Sequence, residues 1–522
     1  MSRTLRLLSV VLILACGLLA SCHSPRLASS ASSQRSLVII HDNDVHCSID
    51  GYARMAGLRD AIADTAWTQL VSSGDFIQGG YMGAISRGQY VIDVMKQMGY
   101  DAITLGNHEF DYGTPHLVSL LADMGAPVTC SNFVDASTRL NVYPSYVMSA
   151  AGPYHIAYIG TLIPSTMQSE AIGFFDETGR LTYDLCPDSV YQYVQRAADD
   201  ARSHGADYVI VLSHLGDAAS LGFDSHSLVR STRGIDAVLD GHTHNVVPML
   251  TVNNLDGQPV VITQTGTQFS HIGKLIITPD GRITSQLIPT ANISHTNAHI
   301  QSVIDSVKAI ADQKVKRILC HTDHDLRVRN DDGIVIGRVC ETPAGNLVAD
   351  AFRSVGGTDV SVLNAGSLRN DIFKGDVTYG DLISFVPYDN WLCVAEVTGR
   401  QLHAMLEANI VSLPFPDGQF PQVSGMRFVI NISSHKVSDV SVLDRETGTY
   451  VPLDFDRTYT ITATDYIFYN GGMRNTLRGA NVTRKSFIHY CDALIDYVTN
   501  NLQGRIGSEY SAPQGRITLV ME

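Results

Sequence analysis

The chain has 522 residues, with 52 acidic against 37 basic side chains and a net charge of −15. Apolar residues make up 44% and charged residues 17%, which excludes a wholly disordered chain, and Gly and Pro together number 61, which excludes a collagenous one. At roughly 150 residues per domain, the length predicts about two to four domains with real cores. The acidic balance, without any cluster of Lys and Arg, argues against a nucleic-acid binder, which needs basic side chains to displace counterions. Small anionic substrates stay open, because bound divalent cations reverse a local field.

Residues 1–21 read as an address. Arg3 and Arg6 precede an apolar stretch from Leu7 to Ala20, too short for a bilayer span and suited to a signal peptide. It ends in Leu19-Ala20-Ser21-Cys22, which resembles the lipobox of bacterial lipoproteins. The resemblance implies acylation of Cys22 and a membrane anchor without a transmembrane helix. It also implies a place in the bacterial cell envelope, with the domains outside the cytoplasm, periplasmic or surface-facing. Residues 22–35, rich in Ser, Ala and Arg, read as a flexible tether. Seven further cysteines are scattered without a CxxC pair, so a thiolate zinc site is not expected, and the odd number leaves at least one thiol outside any disulfide.

From residue 36 onward, short Val/Ile/Leu-rich runs alternate with helical patterns, the rhythm of a layered α/β domain. The runs are Leu37–Ile40, Gln69–Ser72, Ala102–Leu105, Tyr208–Leu212 and Ala237–Leu239, with helical spacing in Gln89–Met98 and Ser189–Ser203. The pattern lapses near Ile288–His299. Then Ile300, Ile304, Val307, Ala311, Val315 and Ile318 recur at helical steps, predicting one long amphipathic helix. A second α/β-like segment follows, with strand signals near Asp359–Leu363, Leu392–Val397 and Tyr459–Ala463. The predicted organisation is a domain at 36–290, a linker helix at 291–325 and a smaller domain at 326–522.

Each of the five runs in the first domain stops at a polar ligand type. They lead into His41-Asp42-Asn43-Asp44-Val45-His46, Gly74-Asp75, Gly106-Asn107-His108-Glu109, Ser213-His214 and Asp240-Gly241-His242-Thr243-His244. In α/β sheets ligands bind beyond the carboxyl ends of strands, so these five ends would converge on one cleft. Asp44, His46, Asp75, Asn107, His214, His242 and His244 then offer nitrogen and oxygen ligands and no sulfur, a set suited to two divalent ions such as Zn²⁺ or Mn²⁺. An Asp on a central strand would bridge them about 4 Å apart, where two cations activate a water and clamp a phosphoryl oxygen.

This ordered series resembles the calcineurin-like metallophosphoesterase signature. Gly51-Tyr52-Ala53-Arg54, Gly79 and the run from Gly106 to Gly113 are similar to the 5′-nucleotidase family of two-domain phosphoesterases. The resemblance implies an α/β/β/α metallophosphoesterase domain and a smaller α+β substrate-binding domain. It implies hydrolysis of nucleotide phosphate esters by a metal-bridging hydroxide. Alternatives on the same frame are UDP-sugar hydrolysis or 2′,3′-cyclic phosphodiesterase with 3′-nucleotidase activity, and outside enzymes a nucleoside- or metal-binding surface lipoprotein. It assigns Asp44, His46 and His244 to one metal, Asn107, His214 and His242 to the other, and Asp75 as the bridge. His108 and Asp111 resemble the catalytic dyad, while His41 is expected to pack behind the site.

In the second domain, Arg338, Asn364, Arg369 and Phe420 are implied nucleotide contacts, Phe420 by stacking on the base. Relatives usually carry an aromatic residue followed by Gly-Gly-Asp-Gly. This chain has Gly471-Gly472-Met473-Arg474, with Ile467 at the expected second ring unless Tyr466 or Phe468 replaces it.

Overall fold

The computed structural model describes residues 35–521 apart from 177, 178, 219–221, 389 and 470. The signal segment, the lipobox with Cys22 and nearly all of the tether therefore lie outside the described residues.

Leu37–Asp42 is fully buried because its two faces serve two cores. Val38 and Ile40 meet the helices on one side, while Leu37 and Ile39 meet a second sheet on the other. The first sheet runs in the order 283–289, 271–277, 37–42, 67–72, 102–103. The second runs 246–253, 259–265, 237–239, 208–214, 154–162, 147–151. Tyr158, Ile210, Leu212, Leu239 and Leu275 fill the space between the sheets. The helices Gly51–Ile62, Gln89–Met98 and Val190–Ser203 bury apolar stripes on the outer faces, giving the expected α/β/β/α layering.

Within the first sheet, Leu37–Asp42 pairs in parallel with Trp67–Ser72, which pairs in parallel with Ala102–Ile103. In the second, Tyr208–His214 and Ala237–Leu239 are also parallel. That shared direction brings the five polar strand ends to one edge of the sandwich. The third strand is shorter than Ala102–Leu105, because its ladder ends at Ile103 before the turn into Gly106.

The long helix is Ala298–Val315, capped by the Asn297 side chain on the Ile300 N–H. Ile300, Ile304, Val307 and Ala311 pack into the first domain's core. Ile318 does not continue it. That residue opens the strand Ile318–Thr322, which pairs with Gly375–Thr378 and Arg505–Ile506 of the second domain. The end of the expected linker at 291–325 thus belongs to a second-domain sheet.

The second domain is built on a five-stranded sheet, ordered 421–424, 360–364, 458–464, 391–398, 481–489, with the helix Pro343–Gly356 against it. A four-stranded sheet, ordered 450–452, 436–443, 426–431, 517–520, completes it. The domains dock through an Arg87–Asp492 ion pair, Lys485 over the Phe175 ring, and Trp391 against the first domain's core. No disulfide joins the seven described cysteines, six of which are buried. No helix among the described residues is long and apolar enough to cross a membrane.

Candidate metal centre and substrate pocket

The turns that follow the strands hold their ligand-type side chains at unusual backbone angles. Asp44, His46, Asp75, His242 and His244 all have positive φ, between 45° and 76°. Non-glycine residues adopt this region at a cost, and such positions gather at functional sites. Glycines make the close approaches possible: a Cβ on Gly106 would run into the Asp75 carboxylate, and one on Gly241 into His214 and Asp44.

Two groups of atoms result. In the first, one ligand atom from each of Asp44, His46, Asp75 and His244 lies within 4.8 Å of the others. His46 Nδ1 is 3.1 Å from the Gln78 carbonyl, to which it donates. Its Nε2 lone pair therefore faces His244 Nε2 at 3.1 Å, and His244 Nε2 lies 3.4 Å from Asp44 Oδ1. In the second group, His214 donates from Nδ1 to the Ser73 carbonyl at 2.7 Å, leaving its buried Nε2 3.1 Å from Asp75 Oδ2. His242 Nδ1 is 2.8 Å from Asn107 Oδ1, and the His242 N–H donates to Asp44 at 2.9 Å. Asp75 touches both groups, as a bridge would.

Lone pairs and carboxylate oxygens aimed at one another repel unless a cation lies between them. His214 Nε2, buried without a hydrogen-bond donor, is one such orphan. The carboxylates also act on the neighbouring imidazoles. Burial opposes a charge on His214, yet the Asp75 and Asp44 carboxylates raise it to about 10. His242 is lowered to about 4 by burial and by His214. The Asp44 and Asp75 carboxylates thus draw positive charge to this spot, and the all-N/O donor set suits a hard or borderline divalent cation.

His108 sits beside this cluster. Its backbone N–H donates to Asp75 Oδ1 at 2.8 Å, and its Nδ1 lies 3.1 Å and 3.2 Å from the two Asp111 oxygens. Burial lowers its affinity for a proton, but Asp75 and Asp111 override that and raise it to about 11. Nδ1 is engaged by Asp111, so Nε2 is the atom free to meet a substrate oxygen.

The second domain carries a cavity of about 300 Å³ lined by Asn364, Ser367, Arg369, Tyr388, Asn390 and Tyr466, among others. Asn364 donates to the Gly418 carbonyl at 3.3 Å and accepts from Ser367 at 2.9 Å, so its amide is fixed in place. The Arg369 guanidinium lies 5.6 Å from the Tyr388 ring centre. Phe420, expected to stack on a base, does not line this cavity. It is 1% exposed and packs in the second domain's core, while its neighbours Gly418 and Gln419 face the pocket. Arg338 is also absent from the lining, although its carbonyl accepts from Asp417 at 3.2 Å near the same loop. Ile467 and Met473 are fully buried.

A calcineurin-like phosphoesterase model matches residues 37–246, and a 5′-nucleotidase C-terminal domain model matches residues 326–478. The chain belongs to the 5′-nucleotidase family of metallophosphoesterases. It is 25% identical over 475 residues to the trifunctional nucleotide phosphoesterase protein YfkN of Bacillus subtilis, covering 83% of this chain and 32% of that one. The chain thus spans about a third of that relative's length. It is 24% identical over 556 residues to the snake venom 5′-nucleotidase of Gloydius brevicauda, covering 94% of this chain and 90% of the relative. A crystal structure of a Thermus thermophilus 5′-nucleotidase precursor shares the fold, with a TM-score of 0.53 at 24% identity, over 93% of this chain and 100% of that one.

Within this family frame, three residues carry more than the sequence revealed. Glu109 accepts from the N–H groups of Asp75, Phe76 and Gly106, and so shapes the turn that presents Asp75. Burial, then Asp75, pushes its carboxyl up to about 7. Glu170 lies beside His108 and Asp111, its carboxyl within 4.8 Å of a ligand atom from each. Tyr388 lines the cavity, which Phe420 does not; its signal was a ring in a loop between helix and strand, next to Pro387. His41 is wholly buried, its ring driven down to about 3 by burial, and it packs against Gly273 behind the site.

Proposed function

We propose that this protein hydrolyses phosphate monoesters of 5′-nucleotides with two divalent cations, of the Zn²⁺ or Mn²⁺ kind. The carrying observation is one chain that joins a buried N/O ligand cluster at strand ends to a pocket with two tyrosines in a docked second domain. When bound, the cations supply Lewis acidity and an activated water. Asp44, His46 and His244 would hold one, Asn107, His214 and His242 the other, with Asp75 between.

The remaining work falls to side chains of the chain itself. His108, protonated and oriented by Asp111, places an Nε2–H where negative charge grows on the phosphoryl oxygens. Arg369 and Asn364 offer donors to ribose or base, and Tyr388 and Tyr466 offer rings on which a base stacks. The ligand cluster is equally suited to a UDP-sugar or a 2′,3′-cyclic phosphodiester, so those substrates are the competing reading. In the cell, acylation of Cys22 would tether the enzyme to the envelope, its domains outside the cytoplasm, and a Cys22→Ala chain should then leave the membrane fraction.

The test uses the chain from His23 onward, supplied with Mn²⁺ or Zn²⁺. Phosphate release is followed from AMP, UDP-glucose, a 2′,3′-cyclic nucleotide and nitrophenyl phosphate, with Asp75→Ala as the blank. Release led by AMP and lost in the blank is expected. Turnover of nitrophenyl phosphate with poor use of every nucleotide would overturn the nucleotide assignment and keep the metal centre.

A further inference from the structure

The catalytic dyad belongs to the first domain, but one of its peptide groups is held from the second. The indole Nε1 of Trp391 donates to the backbone carbonyl of Asp111 at 2.9 Å. Trp391 is well placed to hold it firmly. Its ring packs against the first domain's core and meets His489 edge-on, with ring centres 6.0 Å apart. Its own backbone opens the strand Trp391–Thr398 directly after Tyr388 and Asn390, two residues that line the substrate cavity. The carboxyl of Asp465, next to the cavity residue Tyr466, accepts from the Tyr466 N–H at 2.8 Å and also faces the Trp391 backbone N–H.

A continuous path therefore runs from the cavity to the dyad. It passes from Tyr388, Asn390 and Tyr466 to the Trp391 backbone, through the indole to the Asp111 carbonyl, and on to the Asp111 carboxylate 3.1 Å from His108 Nδ1. Holding the Asp111 carbonyl restrains ψ at that residue, and so helps fix the side chain whose carboxylate meets the imidazole. The indole can make this bond only while the domains are docked as seen here.

We infer that Trp391 is a positioning residue for phosphoryl transfer, acting through Asp111, so that docking of the substrate-bearing domain completes the dyad. The inference rests on the assignment of His108 and Asp111 as that dyad. Trp391 is not among the residues that line the cavity; it acts through Asp111, which orients the imidazole. Small displacements of such groups are expensive, since about 1 Å of misplacement costs on the order of 100-fold in rate.

The experiment is a double-mutant cycle on the full-length protein in detergent, assayed with AMP and with nitrophenyl phosphate. Trp391→Phe keeps the ring and deletes the N–H. It should lower kcat about 10-fold for both substrates while leaving KM for nitrophenyl phosphate within about twofold. In an Asp111→Asn background the same substitution should cost less than about twofold, because the group it acts through is already impaired. An equal loss in both backgrounds, or a change confined to KM, would overturn the inference and make Trp391 a docking contact only. An Asp111→Asn chain that keeps full kcat would instead remove the dyad assignment itself. If Trp391→Phe does not fold, benzothienylalanine, which keeps the indole shape without the N–H, is incorporated in a Trp67→Phe chain and read in the same cycle.

Discussion

The candidate metal cluster and the cavity of the second domain lie in one docked molecule but are built under different constraints. In the cluster, each side chain must be a specific ligand type, and the backbone bends to deliver it. Asp44, His46, Asp75, His242 and His244 all accept positive φ. In the cavity, what matters is a flat ring and a few donors, and several residues in the same loops could serve. Asn364 and Arg369 face the cavity, while Phe420 turns away into the core and Tyr388 takes the wall. On the function proposed above, chemistry at phosphorus fixes residue types tightly, and recognition of a base fixes them loosely.

The largest expected effect breaks the first half of that comparison. Asp75→Ala removes the residue shared by both ligand groups and should abolish phosphate release, by about 10³-fold or more, with loss of bound cation by elemental analysis. His108→Asn comes next. It should lower kcat by about 10² to 10³-fold while bound cation stays at the parent level, because the imidazole acts on the substrate rather than on the ions.

The second half is sharpened by a pair of substitutions. Tyr388→Ala should raise KM for AMP by about 5- to 150-fold, matching about 1–3 kcal/mol of base stacking, and leave nitrophenyl phosphate turnover within about twofold. Phe420→Ala should do something different: lower unfolding stability by about 3–5 kcal/mol in urea, as expected for emptying a core aromatic site. If Phe420→Ala instead changes only the KM for AMP, the ring stacks on substrate after all and the comparison fails.

The smallest effect concerns pH. Burial, the leading cause, holds the Asp465 carboxyl up to about 7 against an ordinary 3.8. The folded state keeps a proton that the unfolded chain sheds between those values, so this group's contribution is fully present below the unfolded value and lost as pH rises through about 7. Asp465→Asn removes that slope. The variant should gain stability relative to the parent between about pH 5 and 8, read as a widening difference in urea midpoints.

How much of this was legible in the sequence follows from the same distinction. The layered fold and the five converging strand ends could be read from Val/Ile/Leu runs stopping at Asp, Asn and His, because a parallel sheet aims its carboxyl ends one way. The ligand residues come together in the structure, His46 beside His244 and His242 beside Asn107, as their placement implied. Ile318 misled because its spacing continued the helical period, while pairing with Gly375–Thr378 drew it into a strand. Phe420 misled because a loop aromatic faces core or cavity according to a single residue's turn, which periodicity does not encode. Glu109 was visible only as part of a motif, since its partners are main-chain N–H groups that no side-chain pattern reports.

That carboxyl has a practical consequence. Glu109 clasps the main chain of two separate strand-end turns, and it does so with protein atoms alone. The main-chain frame of the socket is thus braced by the fold. Its contents become exchangeable parts: a chelator should strip them without unfolding the enzyme, and whichever suitable cation is offered next should restart it within the time of mixing. The ion in use would then report the composition of the surroundings rather than a choice made during folding.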